Sequence, residues 1–196
     1  MSPTVGVLAL QGDFEEHITS LHRLGADTRE VRTEAQLSSV DSLVIPGGES
    51  TSMAKLMDVY ALREPLRGFA RSGKPVWGTC AGLILLARRL QEDRPEPLGT
   101  MDTVVQRNGF GRQVDSFQTK LDIVGIAGGP YLALFIRAPK IVEVGPAVEV
   151  LATLEDNTIV AAREDNILVT AFHPELTTDD RVHEFFLAMA AEASTR

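Results

Sequence analysis

Three residue types in this chain sit in settings suited to acyl transfer: one thiol, one imidazole and one carboxylate. Cys80 is the only cysteine and lies in Gly78-Thr79-Cys80-Ala81-Gly82. Pro75 to Trp77 reads as a short buried strand, and from Ala81 the sequence turns to good helix formers, so the thiol falls at a sharp strand-to-helix turn. That is the setting of a nucleophile elbow: the side chain leaves the carboxyl edge of a sheet, and the N–H groups of a helix N-terminus favour a thiolate and later an oxyanion. A free cysteine is also commonly a small buried hydrophobe, and Gly-x-Cys-x-Gly alone leaves both readings open. The imidazole and the carboxylate come from His173-Pro174-Glu175. A residue before proline is driven to extended backbone, where side chains at i and i+2 point the same way. His173 can therefore take a proton from a thiol while Glu175 fixes its tautomer and stabilises the imidazolium. His-Pro-Glu by itself is equally a surface turn with an incidental histidine.

A third stretch, Pro46-Gly47-Gly48-Glu49-Ser50-Thr51-Ser52, follows an apolar strand and precedes a helix carrying Met53, Leu56 and Met57. Paired glycines there let backbone N–H groups turn toward an anion or a developing oxyanion. The plainer reading is a strand-to-helix loop with Ser50 or Thr51 as the helix cap.

The bulk properties narrow the class. At 196 residues with 44% hydrophobic and 23% charged content, one domain spanning residues 1–196 is expected. A net charge of −8 without a Lys/Arg cluster argues against a nucleic-acid partner and against an anionic membrane surface. One cysteine rules out an internal disulfide, and the N-terminus runs into an apolar strand without a signal core, so a cytoplasmic location is the expectation. No apolar run approaches the ~18 residues of a membrane span.

Taken in order, the elements that would position these residues alternate. Val5 to Leu10 is a continuous apolar run, as in a strand covered on both faces. Gln11-Gly12-Asp13 makes the turn, with Asp13 as N-cap of a helix carrying Phe14, Ile18, Leu21 and Leu24 that Gly25 ends. His17 and His22 are given a solvated or satisfied structural role. Gln11 lies just beyond a central strand, where ligands bind in open α/β sheets, and is a candidate partner contact together with the outer face of this helix. Strands are expected at Thr28 to Val31 and Ser42 to Ile45, joined by a polar connection through Glu34 and Gln36, and a helix from Pro65 to Gly73. Further strands are expected at Met101 to Val105, Phe117 to Val124, Tyr131 to Ile136, Val148 to Leu154, Thr158 to Arg163 and Ile167 to Phe172. Asn108-Gly109 would suit a tight hairpin turn, yet 106–117 carries many hydrogen-bonding groups and reads as facing a substrate. A closing helix buries Val182, Phe185, Phe186 and Met189, with His183 on its polar side. This alternation predicts an α/β fold, a three-layer open and mostly parallel sheet with helices on both faces, and puts the Gly47-Gly48 and Cys80 loops together at its carboxyl edge.

The cysteine at an elbow, the glycine pair upstream and His-x-Glu near the C-terminus resemble the triad-type (class I) glutamine amidotransferases, which have a flavodoxin-like fold. Leu10-Gln11-Gly12, Pro46 to Thr51, Gly78 to Leu83, Arg107-Asn108, Phe110 to Phe117, Phe135-Ile136-Arg137-Ala138-Pro139 and Phe172 to Thr177 are together similar to the family of glutaminase subunits of pyridoxal 5′-phosphate synthase. The resemblance implies hydrolysis of L-glutamine to glutamate and ammonia, the ammonia passing to a separate synthase subunit that assembles the vitamin B6 cofactor, with no metal or cofactor required. It implies Cys80 as nucleophile, His173 as general base and acid, Glu175 as the orienting carboxylate, and an oxyanion hole from the N–H groups of Gly48 and Ala81. Glutamine recognition maps to Gly47, Gly48, Glu49, Ser50, Arg107, Ile136 and Arg137. It also suggests that the synthase subunit switches the glutaminase on through the Gly47-Gly48 peptide. Two other readings compete: a cysteine hydrolase of related fold acting on another amide or ester, and a non-catalytic regulatory subunit.

Overall fold

The computed structural model describes residues 3–111 and 116–195. The first half of the chain runs β1 (Thr4–Leu8), α1 (Phe14–Arg23), β2 (Asp27–Val31), α2 (Glu34–Ser38), β3 (Ser42–Ile45), α3 (Ser50–Val59), α4 (Arg63–Arg71), β4 (Val76–Thr79), α5 (Ala81–Leu86) and β5 (Ala87–Leu90). The second half runs β6 (Met101–Gln106), β7 (Ser116–Leu121), β8 (Tyr131–Ile136), β9 (Lys140–Val144), β10 (Glu149–Thr153), β11 (Ile159–Glu164), β12 (Ile167–Thr170), a 3₁₀ turn (Pro174–Leu176) and α6 (Arg181–Ala193).

The main sheet has the order β2-β1-β3-β4-β12-β11-β9-β6-β5, with β10 on β11, while β7 and β8 form a separate hairpin. From β2 to β12 every pairing is parallel. Counted among themselves these strands follow 2-1-3-4-5, the flavodoxin-like order whose ligand crevice lies beyond the carboxyl ends of the strands. The sheet continues antiparallel through β11, β9 and β6. Helix α1 meets α6 on one face, where Arg23 pairs with Asp180 at 2.6 Å and His17 meets His183, whereas α3 packs with α4 and α5 on the other. Connections reversing direction across a twisted sheet place their helices on opposite faces.

Side-chain alternation along β4 divides the core. Trp77 and Thr79 face α1 and α6: Trp77 packs against His17, His183 and Phe186, and Thr79 bonds to His17. Gly78 faces α5, where an added Cβ would stand 2.6 Å from the Gly82 carbonyl carbon. A Cβ on Gly82 would fall 2.1 Å from the Ile45 carbonyl oxygen. The two glycines that bracket the cysteine motif thus let α5 settle directly on the ends of β3 and β4.

Several expectations are corrected. The polar connection before β3 contains a short helix, α2, capped by Thr33. The run of helix formers after Cys80 gives only the short α5, because the backbone N–H groups of Leu98, Thr100 and Gly99 take the carbonyls of Leu85, Leu86 and Ala87, and the chain goes straight into β5. Strand β9 was not expected; it joins β6 to β11. Asn108-Gly109 closes no hairpin, since β6 pairs with β9 and β7 with β8; Asn108 turns with φ +47°, and Gly109 N–H donates to the Ala138 carbonyl at 3.0 Å. Residues 112–115 of the stretch read as facing a substrate lie outside the described residues. His183 is fully buried rather than on a polar face, because it shares the inward stripe of α6 with Phe186 and Ala190 at i+3 and i+7.

Candidate active site

Cys80 has φ +47° and ψ −98°, a backbone conformation that costs of order 1–3 kcal/mol for a side chain with a Cβ. The surroundings hold it there: its N–H donates to the Thr170 carbonyl at 2.8 Å, locking the end of β4 to β12. Ala81 follows as the first residue of α5 and is fully buried. Its N–H belongs to the first helical turn, whose donors have no partner within the helix.

The adjacent strand β12 delivers the imidazole. His173 lies just past β12, its N–H bonded to the Leu134 carbonyl at 2.8 Å, and its φ of −109° and ψ of 87° keep it out of the helical region before Pro174. The chain then turns through one 3₁₀ turn instead of continuing extended, and still brings the two side chains together: His173 Nδ1 donates to Glu175 Oε1 at 2.7 Å. On its other side lies the cleft that His173 and Cys80 both line. Burial of His173 opposes its charge, but the interactions with Cys80 and Glu175 outweigh that and push its pKa up to about 10. Glu175 is almost wholly buried; burial pushes its carboxyl pKa up, and the bond to His173 works against that shift. A thiol, an imidazolium and a carboxylate in series form an arrangement that can stabilise a thiolate and later return a proton to a leaving group.

Gly47 is the close neighbour of this ring. A Cβ there would lie 2.5 Å from His173 Cε1, so only glycine lets the strand end approach. Its carbonyl accepts from Asp13 N–H at 3.1 Å; since a peptide is planar and trans, the Gly48 N–H points to the side opposite that carbonyl.

Cys80, His173, Gly48, Glu49, Ser50, Arg107, Ile136 and Arg137 line one cleft of about 420 Å³, with Gln11, Asp13, Ile84, Asn108 and Leu176 completing it. Of the residues expected at the site, Gly47, Ala81 and Glu175 stand behind this wall. Arg107 is held by the Arg94 carbonyl at 2.9 Å and approaches Glu49 Oε1 and Thr51 Oγ1, each at 3.4 Å. Arg137 ends β8 in a left-handed conformation, φ +42°, and is exposed. The Ile136 carbonyl faces the Cys80 sulfur at 4.0 Å.

Four features were not legible in the sequence. Glu49, and neither Ser50 nor Thr51, caps α3, accepting from Thr51 N–H at 3.0 Å and Ser52 N–H at 2.7 Å. Against the opposing effect of burial, bonds from Ser52 and Thr51 hold its pKa down to about 2. Gln11 ties the two loops together by accepting from Glu49 N–H at 2.8 Å. Asp13 makes no side-chain cap bond to α1; its carboxylate stands 3.5 Å from His173 Nδ1, and burial raises its pKa while His173 lowers it. Asp13, His173 and Glu175 offer ligand atoms within 4.8 Å of one another, a closeness that the His173 bonds account for. His17, on α1, stands directly behind Glu175.

The fold recurs in solved proteins. A crystal structure of a glutamine amidotransferase superposes with a TM-score of 0.89 at 44% identity, covering 95% of this chain and 98% of the other. A putative GMP synthase component from Thermoplasma acidophilum, 17% identical, shares the fold with a TM-score of 0.72 and covers 100% of this chain and 97% of its own. The model of the SNO glutamine amidotransferase family matches residues 7–192, and this chain belongs to that family. Curated relatives of like length are named pyridoxal 5′-phosphate synthase subunit PdxT: that of Herpetosiphon aurantiacus is 55% identical over 95% of this chain and all of its own, and that of Corynebacterium jeikeium 53% identical over 96% of this chain and 97% of its own.

Proposed function

We propose that this chain is the glutaminase subunit of a pyridoxal 5′-phosphate synthase, releasing ammonia from L-glutamine for a synthase subunit, with Cys80 as nucleophile, His173 as general base and acid, and Glu175 as the carboxylate that orients it. The observation that carries this reading is that Cys80 and His173 line one cleft together with two arginines, with Glu175 hydrogen-bonded to His173 from behind at 2.7 Å. Names of relatives and family membership support the substrate and the partner.

Each step uses groups on that wall or directly behind it. The Cys80 sulfur attacks the carboxamide carbon, forming a C–S bond and placing negative charge on oxygen. Gly48 and Ala81 N–H groups receive that charge; loss of one such donor costs ~10²–10³ in rate. His173 gives its proton to the amide nitrogen, the C–N bond breaks and ammonia leaves, with a thioester on Cys80. Neutral His173 then takes a proton from water as its oxygen attacks the thioester carbon. Collapse releases glutamate and returns the sulfur to its starting state. Throughout, Glu175 keeps the Nδ1–H side of the ring fixed, the role an orienting carboxylate plays behind a catalytic imidazole. Arg107 and Arg137 supply forked donors for the substrate α-carboxylate, and Glu49, Ser50 and the Ile136 main chain complete its binding surface.

A regulated oxyanion hole fits the Gly47-Gly48 peptide, whose direction rests on the single Asp13 bond and on the Gln11 link between loops. Glutamate release measured with the chain alone and with the synthase subunit, for wild type and Cys80→Ala, tests the proposal. Turnover only with cysteine present, and faster with the partner, is expected. Equal turnover by Cys80→Ala removes the assignment, and equal rates with and without the partner remove the switch.

A further inference from the structure

Behind the site lies a buried polar chain that the mechanism above does not use. His17 and His183 are both fully buried and walled by Trp77, whose ring centroid lies 5.2 Å from one and 4.9 Å from the other. His17 Nδ1 stands 3.1 Å from His183 Nε2. Its Nε2 stands 3.2 Å from Thr79 Oγ1 and 3.4 Å from Glu175 Oε2. That second oxygen of Glu175 is buried with no hydrogen-bond partner among the described residues, and so is His183 Nδ1.

The hydrogens of this pair can be assigned by elimination. Burial pushes the pKa of both rings down, His183 to about 4, so each is neutral with one N–H. If His17 carried its proton on Nδ1, it would donate to His183 Nε2, and His183 would bury an N–H on Nδ1 with no acceptor. His17 would also turn a lone pair toward the Glu175 carboxylate. Both are costly in a dry interior. In the other tautomer His183 Nε2–H donates to His17 Nδ1, and His17 Nε2–H donates to Thr79 Oγ1 while facing Glu175 Oε2 at 3.4 Å. Only a bare lone pair on His183 is then left over.

We propose that His17 is a positioning residue for the glutaminase reaction, its Nε2–H side set 3.4 Å from the far oxygen of Glu175 so that the dipole keeps the carboxylate ionised and aimed at His173. The need for such a donor is physical: burial drives Glu175 toward its protonated form, and a protonated Glu175 would no longer support an imidazolium beside Cys80. Around the series, α1 contributes Asp13 and His17, the elbow Thr79 and Cys80, the turn after β12 His173 and Glu175, and α6 His183. Asp13 faces His173 from the cleft side, whereas His17 reaches Glu175 from the core.

This role for His17 rests on the triad reading, and the two can fail separately. Because Cys80 is the only cysteine, iodoacetamide alkylation of the full-length chain reports this thiol alone, and its rate follows the thiolate fraction. The pH profile of alkylation is compared for wild type, Glu175→Gln, His17→Gln and His17→Asn. A glutamine amide stands where Nε2 stands; an asparagine amide stands where Nδ1 stands, reaching His183 but not Glu175. The expected result is a midpoint raised by about one pH unit in Glu175→Gln and by a sizeable part of that in His17→Asn, with His17→Gln near wild type. If Glu175→Gln leaves the midpoint in place, the triad reading fails. If Glu175→Gln moves it while the two His17 variants behave alike, whether shifted or not, His17 acts only as packing and the inference is overturned. Circular dichroism on each variant establishes that it is folded before its profile is read.

Discussion

Adding one methyl group at Gly47 should disable the site without removing any group that carries charge. The backbone there is not left-handed, so alanine brings no conformational strain of its own. Its Cβ would lie 2.5 Å from His173 Cε1, 3.0 Å from Nδ1 and 3.2 Å from Asp13 Oδ2. Carbon atoms rest at ~3.5–4.0 Å, so the ring must retreat by about 1 Å. Such a retreat cannot keep both the 2.7 Å bond to Glu175 and the contact with Cys80. A misplacement of about 1 Å costs on the order of 10²-fold in rate, or about 2.7 kcal/mol in barrier. Glutamate release in the reconstituted complex, read through a coupled dehydrogenase, should therefore fall about a hundredfold in Gly47→Ala. Gly68→Ala is the control: it lies in α4 with nothing near its added Cβ and should gain ~0.5–1 kcal/mol of stability at unchanged activity. Activity of Gly47→Ala within about threefold of wild type would refute the steric argument.

Two further outcomes follow from the charges. Glu49→Ala removes the cap of α3 and should cost about 1 kcal/mol; the Glu49 carboxyl is held from its ordinary 4.5 down to about 2, so wild type should lose this contribution as pH falls through that interval while the variant does not, in paired thermal melts. His173 is raised from 6.5 to about 10, so the stability it gains from its partners is complete below pH 6.5 and lost as pH rises toward 10; urea midpoints across that window should fall in wild type and stay flatter in His173→Asn.

The parallel half of the sheet can be read from the chain because strands covered on both faces are written as unbroken apolar runs, as in Val5 to Leu8 and Leu43 to Ile45, and because the glycine and proline punctuation falls at their ends. The elbow is visible for the same reason: Gly78 and Gly82 mark where two elements approach too closely for a side chain. The later strands are less legible. Lys140–Val144 and Ala87–Leu90 pair with distant partners, and nothing local distinguishes them from connections or from a helix end. His183 is misplaced by sequence reasoning because a histidine on an amphipathic helix reads as polar, while here His17 arrives from the far end of the chain to satisfy it. Likewise Glu49 and Asp13 trade the roles expected of Ser50 and a simple cap, since capping depends on which side chain has the reach after folding.

The proposed chemistry requires Cys80 to be a nucleophile that recognises glutamine. The direct measurement is intact-mass and peptide mapping after exposure of the full chain to a glutamine chloroketone, with and without excess L-glutamine. One adduct per chain on Cys80, slowed by glutamine and lost in Cys80→Ala, is the predicted result. Modification indifferent to glutamine, or none at Cys80 in a folded complex with the synthase subunit, would contradict it.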